Sequence, residues 1–272
     1  MVTFEVPAQP AARRRRVAFS IVGGMVALAF LTSTPNVLAP WMVVNLEDLA
    51  DPRDMRWDLA LEGVVDLLGV VCLVVALARP ARSALLVQYL LYAAVLATAV
   101  IIPFTGPKFL ITIGILLLVP VTYPYPRELF TLRSKPGPSA GLLTVAVVAA
   151  AVLLTLAVQA LRVQATLPRG SGSEFNALAT NAEHLVLLAL AGMLAATRRP
   201  GWKVMALGVA TTYAYLAGAS ILLPNQPNSW GLAGGVASLL SAAAFGIAAA
   251  VATHRTDANP PRTRSASMAT ER

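Results

Sequence analysis

Residues 57–78, WDLALEGVVDLLGVVCLVVALA, decide the fold class of this chain. The stretch is long and apolar enough to cross a bilayer as a single helix, which needs about 20 residues. It nevertheless carries Asp58, Glu62 and Asp66 at a strict four-residue spacing. Because each step of four residues turns a helix only about 40° past a full turn, the three carboxylates form one narrow stripe. Carboxylates at membrane depth face other protein or water, so the stripe predicts a polytopic membrane protein with a polar seam.

Composition excludes a water-soluble fold. The 272 residues are 57% hydrophobic and 12% charged, with a mean hydropathy of +0.69, whereas soluble domains carry about 25% charge. The net charge of +8 comes from basic residues that flank the apolar runs, and this is a signature of membrane topology. We therefore expect the chain to be embedded in a lipid bilayer and to have no nucleic-acid partner.

The apolar runs predict an all-α integral membrane protein with eight transmembrane helices. The predicted spans are about 17–38, 57–78, 84–102, 109–122, 140–161, 176–197, 204–223 and 231–252. The four arginines before the first run could belong to a signal peptide. Since that run is long for a signal and Pro40 would follow the cut, an uncleaved first helix is the favoured interpretation.

The spans group into two units of four. A basic N-terminus (1–16) precedes the first unit (17–126), a linker (127–139) joins it to the second (140–252), and a disordered tail (253–272) follows. Sixteen of the 21 Lys and Arg residues lie in the termini, the linker and the turns on the same side. The positive-inside rule then predicts that both termini are cytoplasmic. The excess of Arg over Lys, 18 to 3, favours a bacterial protein and hence the plasma membrane.

The two units look like copies of one another. Arg79-Pro80 matches Arg199-Pro200, Tyr92 matches Tyr213, and VLATAVIIP (95–103) parallels LAGASILLP (216–224). Because a unit of four spans preserves direction, the copies form a tandem, parallel 4+4 repeat.

The repeat makes the sixth span the partner of the second. On a helical wheel Asn176, Thr180, Glu183 and His184 share an arc of about 100°, and Asn181 falls outside it. Asp66, Glu183 and His184 are three ionisable groups at membrane depth, more than packing needs. Together with Glu62 they form the candidate seam, with the imidazole as a donor to Asp66 or Glu62. Supporting polar candidates are Asp58, Asn176, Thr180, Asn181, Gln88, Tyr92 and Tyr213.

Three functions fit this seam. The first is a small permease that binds a solute, proton or cation between the repeats. The second is an intramembrane enzyme that uses carboxylate or histidine acid–base chemistry on a lipid or isoprenoid substrate. The third is an accessory subunit whose seam docks a membrane protein partner. With Cys72 as the single cysteine and no phosphate-loop or zinc motif, the sequence predicts no cofactor and no metal site.

Overall fold

The computed structural model describes residues 10–32, 34–41, 56–101, 110–131, 137–166, 177–226 and 228–257. These ranges contain eight main helices and no strand. The helices are α1 (Pro10–Leu31), α2 (Arg56–Ala78), α3 (Ala84–Leu96), α4 (Leu110–Thr122), α5 (Ala140–Thr166), α6 (Ala177–Ala196), α7 (Trp202–Leu222) and α8 (Gly231–Asp257).

Six of the helices are long and apolar enough to cross a membrane, namely α1, α2, α5, α6, α7 and α8. The chain is thus compatible with a helical membrane protein, as the sequence predicts. The other two, over Ala84–Val100 and Ile113–Thr122, are apolar but shorter. The eight-span arrangement depends on these two helices and stays a prediction.

Several helix ends differ from the predicted bounds. α1 begins at Pro10 and ends at Leu31, and a separate 3₁₀ helix covers Thr34–Leu38 in place of the end of the predicted first span. Pro35 accounts for the break, because proline lacks the N–H that would continue the α-helical ladder. α5 runs to Thr166 and α8 to Asp257, so residues 253–257 of the predicted tail are helical.

The third helix changes its winding. α3 passes at Leu96 into a π-helical segment, Ala97–Ile101, in which the Thr98 hydroxyl donates to the Ala94 carbonyl over 2.8 Å. A π segment carries an extra residue in its turn and so reorients the backbone that follows. The segment packs against α6, the helix that carries Glu183 and His184.

The helices form two rings. In the first four, α1 contacts α2, α2 contacts α3, α3 contacts α4, and α4 contacts α1; α5 to α8 contact one another in the same order. The rings meet where α2 and α3 pack against α6 and α7. α2 and α6 are therefore mostly buried, whereas α1, α5 and α8 expose most of their apolar side chains, as lipid-facing helices do.

The bundle has two chemically distinct ends. The arginine end carries Arg16, Arg79, Arg82, Arg198 and Arg199, and the tryptophan end carries Trp41, Trp57 and Trp230. Trp57 is buried against Trp230, with ring centroids 5.2 Å apart. Trp41 is half exposed and packs edge-on against Tyr215.

Candidate functional site

The two rings each contribute one member of a charged pair. His184 Nε2 on α6 lies 3.8 Å from Asp66 Oδ1 on α2, which is an ion-pair distance and longer than a hydrogen bond. The His184 side chain is 7% exposed and that of Asp66 18%. Asp66 is nine residues from Trp57, or about 14 Å along the helix.

A hydrogen bond at the other ring nitrogen of His184 defines its tautomer. Its Nδ1 lies 2.7 Å from the carbonyl oxygen of Thr180, one turn earlier in α6. Since a carbonyl can only accept, Nδ1 carries a proton and donates it. Nε2 therefore faces Asp66 either as a second N–H or as a bare lone pair. A lone pair facing an ionised carboxylate is repulsive, so this geometry favours one further proton shared by the pair, carried by either Nε2 or Asp66.

Two more acids complete the group. Glu62 on α2 and Glu183 on α6 both lie within electrostatic range of His184 and Asp66, and Glu183 is buried. We call Glu62, Asp66, Glu183 and His184 the carboxylate–histidine cluster. The cluster contains the four candidate seam residues, and its acids outnumber its imidazole. In the described part of the chain, no three His, Cys, Asp or Glu residues converge closely enough to hold a metal ion.

Asp58 belongs to a second polar group nearer the tryptophan end. It accepts a hydrogen bond from Asn181 Nδ2 at 2.5 Å and two longer contacts from Asn228 Nδ2 at 3.3 and 3.4 Å. Asn181, which the helical wheel sets apart from His184, thus bonds the first acid of the α2 stripe. The sequence does not predict the role of Asn228, because nothing in the turn between α7 and α8 marks it as the residue whose side chain reaches Asp58.

The remaining predicted supporting residues lie elsewhere. Gln88 donates to the Tyr92 hydroxyl over 2.8 Å at the arginine end, and Tyr213 stacks on Phe245 with centroids 5.8 Å apart. Thr180 contributes its backbone carbonyl to His184. Asn176 lies outside the described residues.

A further residue near the cluster is Tyr89 on α3. Its ring is fully buried, and its hydroxyl lies within electrostatic range of Asp66 and Glu183. Sequence reasoning chose its neighbours Gln88 and Tyr92 instead. No spacing rule separates Tyr89 from an ordinary core aromatic, so only the packing of α3 against α2 and α6 reveals it.

A cleft of about 740 Å³ opens beside the second polar group, between α5 and α8. We call it the Trp57 cleft. Its floor includes Trp57, Leu61, Asn181 and Tyr213, and its walls are mostly apolar side chains such as Val152 and Ala237. The two asparagines that bond Asp58, Asn181 and Asn228, both line it, so the cleft leads from the apolar surface towards Asp58.

No protein-family model, curated protein or solved structure matches the chain. Its apolar helices fit the class of polytopic membrane proteins. Beyond that class, the chemistry of the site rests on the geometry of its own residues.

Proposed function

We propose that this protein is a small permease that binds a proton, as cargo or as coupling ion, at the carboxylate–histidine cluster. The observation that carries the proposal is the His184 geometry. With Nδ1 committed to the Thr180 carbonyl, Nε2 and Asp66 stand 3.8 Å apart and favour one shared proton. A proton needs only this pair, whereas a metal ion needs several converging ligands.

The position of the pair supports transport. Asp66 and His184 come from different rings, so a relative movement of the rings would change both their separation and the side from which they are reached. We propose further that the rings are the tandem repeats indicated by the sequence. The same order of helix contacts in each half supports this, and transporters with parallel repeats place their sites between the halves.

The orientation is also a proposal. The arginines at one end of the described bundle, with both the start of α1 and the end of α8 at that end, favour a cytoplasmic arginine end in a bacterial plasma membrane. All eight helices, including the shorter α3 and α4, would then span.

Proton flux into liposomes tests the function. Purified protein is reconstituted with internal pyranine, and a valinomycin-clamped potassium gradient drives protons inward. We expect faster acidification than in protein-free liposomes. Asp66→Asn should reduce the rate to the protein-free level, because the near-isosteric amide cannot exchange the shared proton.

The matched control is Glu128→Gln, which removes an exposed carboxylate at the arginine end, outside the cluster. It should conduct like the wild type. Undiminished flux in D66N with an unchanged unfolding midpoint would contradict the proposal, and wild-type flux equal to that of empty liposomes would exclude the proton as cargo.

The Trp57 cleft favours a second candidate, an intramembrane enzyme that draws a lipid or isoprenoid substrate sideways from the bilayer. Its acid–base group would be Asp58, reached through Asn181 and Asn228. Organic extraction of purified protein, followed by mass spectrometry, should then reveal a retained polyprenyl or acyl molecule. Ala237→Trp would fill the cleft and release it. Absence of any such molecule from the wild type would count against this candidate.

A further inference from the structure

A second cleft, of about 560 Å³, lies at the arginine end between the two rings. We call it the Arg199 cleft. α3 forms one wall, α6 the floor and the start of α5 the other wall. At its mouth Val95 is 52% exposed and Leu143 38%, so the cleft opens sideways towards the acyl chains of the bilayer. Its inner surface is mostly apolar, with Leu190 and Met193 along the floor.

Among the described residues, one cationic side chain lines this apolar cleft. Arg199 is only 3% exposed and donates Nη1 to the side-chain oxygen of Gln88 and Nη2 to the backbone carbonyl of Glu128. Both of these acceptors are neutral. The Glu128 carboxylate lies within electrostatic range, but it belongs to an exposed residue. Burial lowers the pKa of the Arg199 guanidinium, yet arginine stays protonated in proteins.

The polar rim of the cleft can bind an anion together with Arg199. The Tyr92 hydroxyl accepts from Gln88 Nε2 at 2.8 Å, so its own proton is available for an incoming oxygen. Tyr92 and Arg199 both line the cleft. A guanidinium with free N–H groups beside a phenol is a donor set suited to phosphate oxygens.

We propose that the Arg199 cleft binds an anionic phospholipid, with its phosphate on Arg199 and Tyr92 and an acyl chain along Leu190 and Met193. The apolar lining argues for a lipid over free phosphate, which would leave most of the cleft empty. A partner helix about 11 Å across would fill 560 Å³ within roughly one turn, so the cleft is better matched to a narrower chain. The buried positive charge selects an anionic headgroup over a zwitterionic one.

Lipid titration in detergent tests whether the Arg199 cleft binds an anionic phospholipid. Full-length protein in a non-ionic detergent is titrated with dioleoyl phosphatidylglycerol, with dioleoyl phosphatidylcholine and with inorganic phosphate, and bound lipid is measured by native mass spectrometry alongside the unfolding midpoint. We expect phosphatidylglycerol to bind about tenfold more tightly than phosphatidylcholine and to raise the midpoint. Phosphate alone should not shift the midpoint.

Arg199→Gln should abolish the preference for phosphatidylglycerol, whereas Arg127→Gln, which removes an exposed charge at the same end, should retain it. Met193→Trp keeps Arg199 but fills the cleft, so it tests the proposal even if R199Q fails to fold. We expect M193W to lose bound phosphatidylglycerol. Equal binding of the two lipids, equal stabilisation by phosphate, or full phosphatidylglycerol binding by both R199Q and M193W would overturn the proposal.

Discussion

At the scale of single residues, neutral amides and carbonyls organise the charged groups of this protein. The Thr180 carbonyl orients His184, Asn181 and Asn228 hold Asp58, and Gln88 bonds Arg199. Each charge thereby receives a hydrogen bond without losing its capacity to interact with another charge. Such an arrangement suits groups that exchange a proton or bind a ligand. A fully neutralised ion pair would leave little net charge to attract a proton or a ligand.

The two amides on Asp58 should differ in their contribution to stability. Asn181→Ala removes the 2.5 Å bond and leaves a buried carboxyl group short of a donor, so it should lower the free energy of unfolding by about 1–3 kcal/mol. Asn228→Gly removes only the longer contacts, and glycine suits the left-handed φ of 62° at that position. N228G should therefore cost less. Chemical unfolding in detergent micelles measures both, and a larger loss in N228G would refute this ranking.

The sequence predicted the residues of the carboxylate–histidine cluster because helical spacing places Glu62 and Asp66 on one face without any tertiary information. It did not predict Asn228 or Tyr89. Asn228 reaches Asp58 only through the path of a turn, and Tyr89 only through the packing of α3 on two other helices. Neither the path nor the packing leaves a periodic signal in the chain.

At the scale of elements, α2 is among the best-predicted helices, since its observed bounds, Arg56–Ala78, nearly coincide with the predicted span 57–78. Its uninterrupted apolar run and its length determine both ends. The π segment Ala97–Ile101 was not predicted, because apolar residues fit an α or a π turn equally well. The packing of α2 against the 3₁₀ helix Thr34–Leu38 was not predicted either, because it depends on a tertiary contact at Gly63.

Gly63 should be intolerant of even one added methyl group. A Cβ there would lie 2.6 Å from the Val37 backbone nitrogen and 2.8 Å from the Asn36 carbonyl carbon. Because backbone atoms cannot move aside as a side-chain tip can, Gly63→Ala should lower the free energy of unfolding by about 1–3 kcal/mol or more. Gly24→Ala is the matched control, since a Cβ at Gly24 meets no atom within 4 Å. It should be neutral, or stabilising by up to about 1 kcal/mol through helix propensity. A G63A protein as stable as G24A would show that the 3₁₀ helix does not pack as described.

At the scale of the whole molecule, the two rings give the cluster and the Arg199 cleft their common location. α6 contacts α2 and α3 of the first ring. Its residues Glu183 and His184 belong to the cluster, whereas Leu190 and Met193, nearer the arginine end, line the Arg199 cleft. The two rings join helices that are mostly consecutive in the chain. Their mutual placement depends on side-chain fit along α2, α3, α6 and α7, for which composition provides no signal.

The proposed location of the two ends on opposite sides of a membrane gives the last prediction. Thr131 and Thr166 are exposed and lie at the arginine and tryptophan ends respectively, and each hydroxyl bonds a backbone carbonyl one turn earlier. The single native cysteine, Cys72, is fully buried and should not react with a membrane-impermeant maleimide. Thr166→Cys should be labelled in intact cells, whereas Thr131→Cys should be labelled only after permeabilisation, because positively charged ends remain cytoplasmic. Labelling of T131C alone in intact cells would invert the topology. Labelling of both would mean that the arginine and tryptophan ends do not lie on opposite faces, and the proton path through the cluster would then have no membrane to cross.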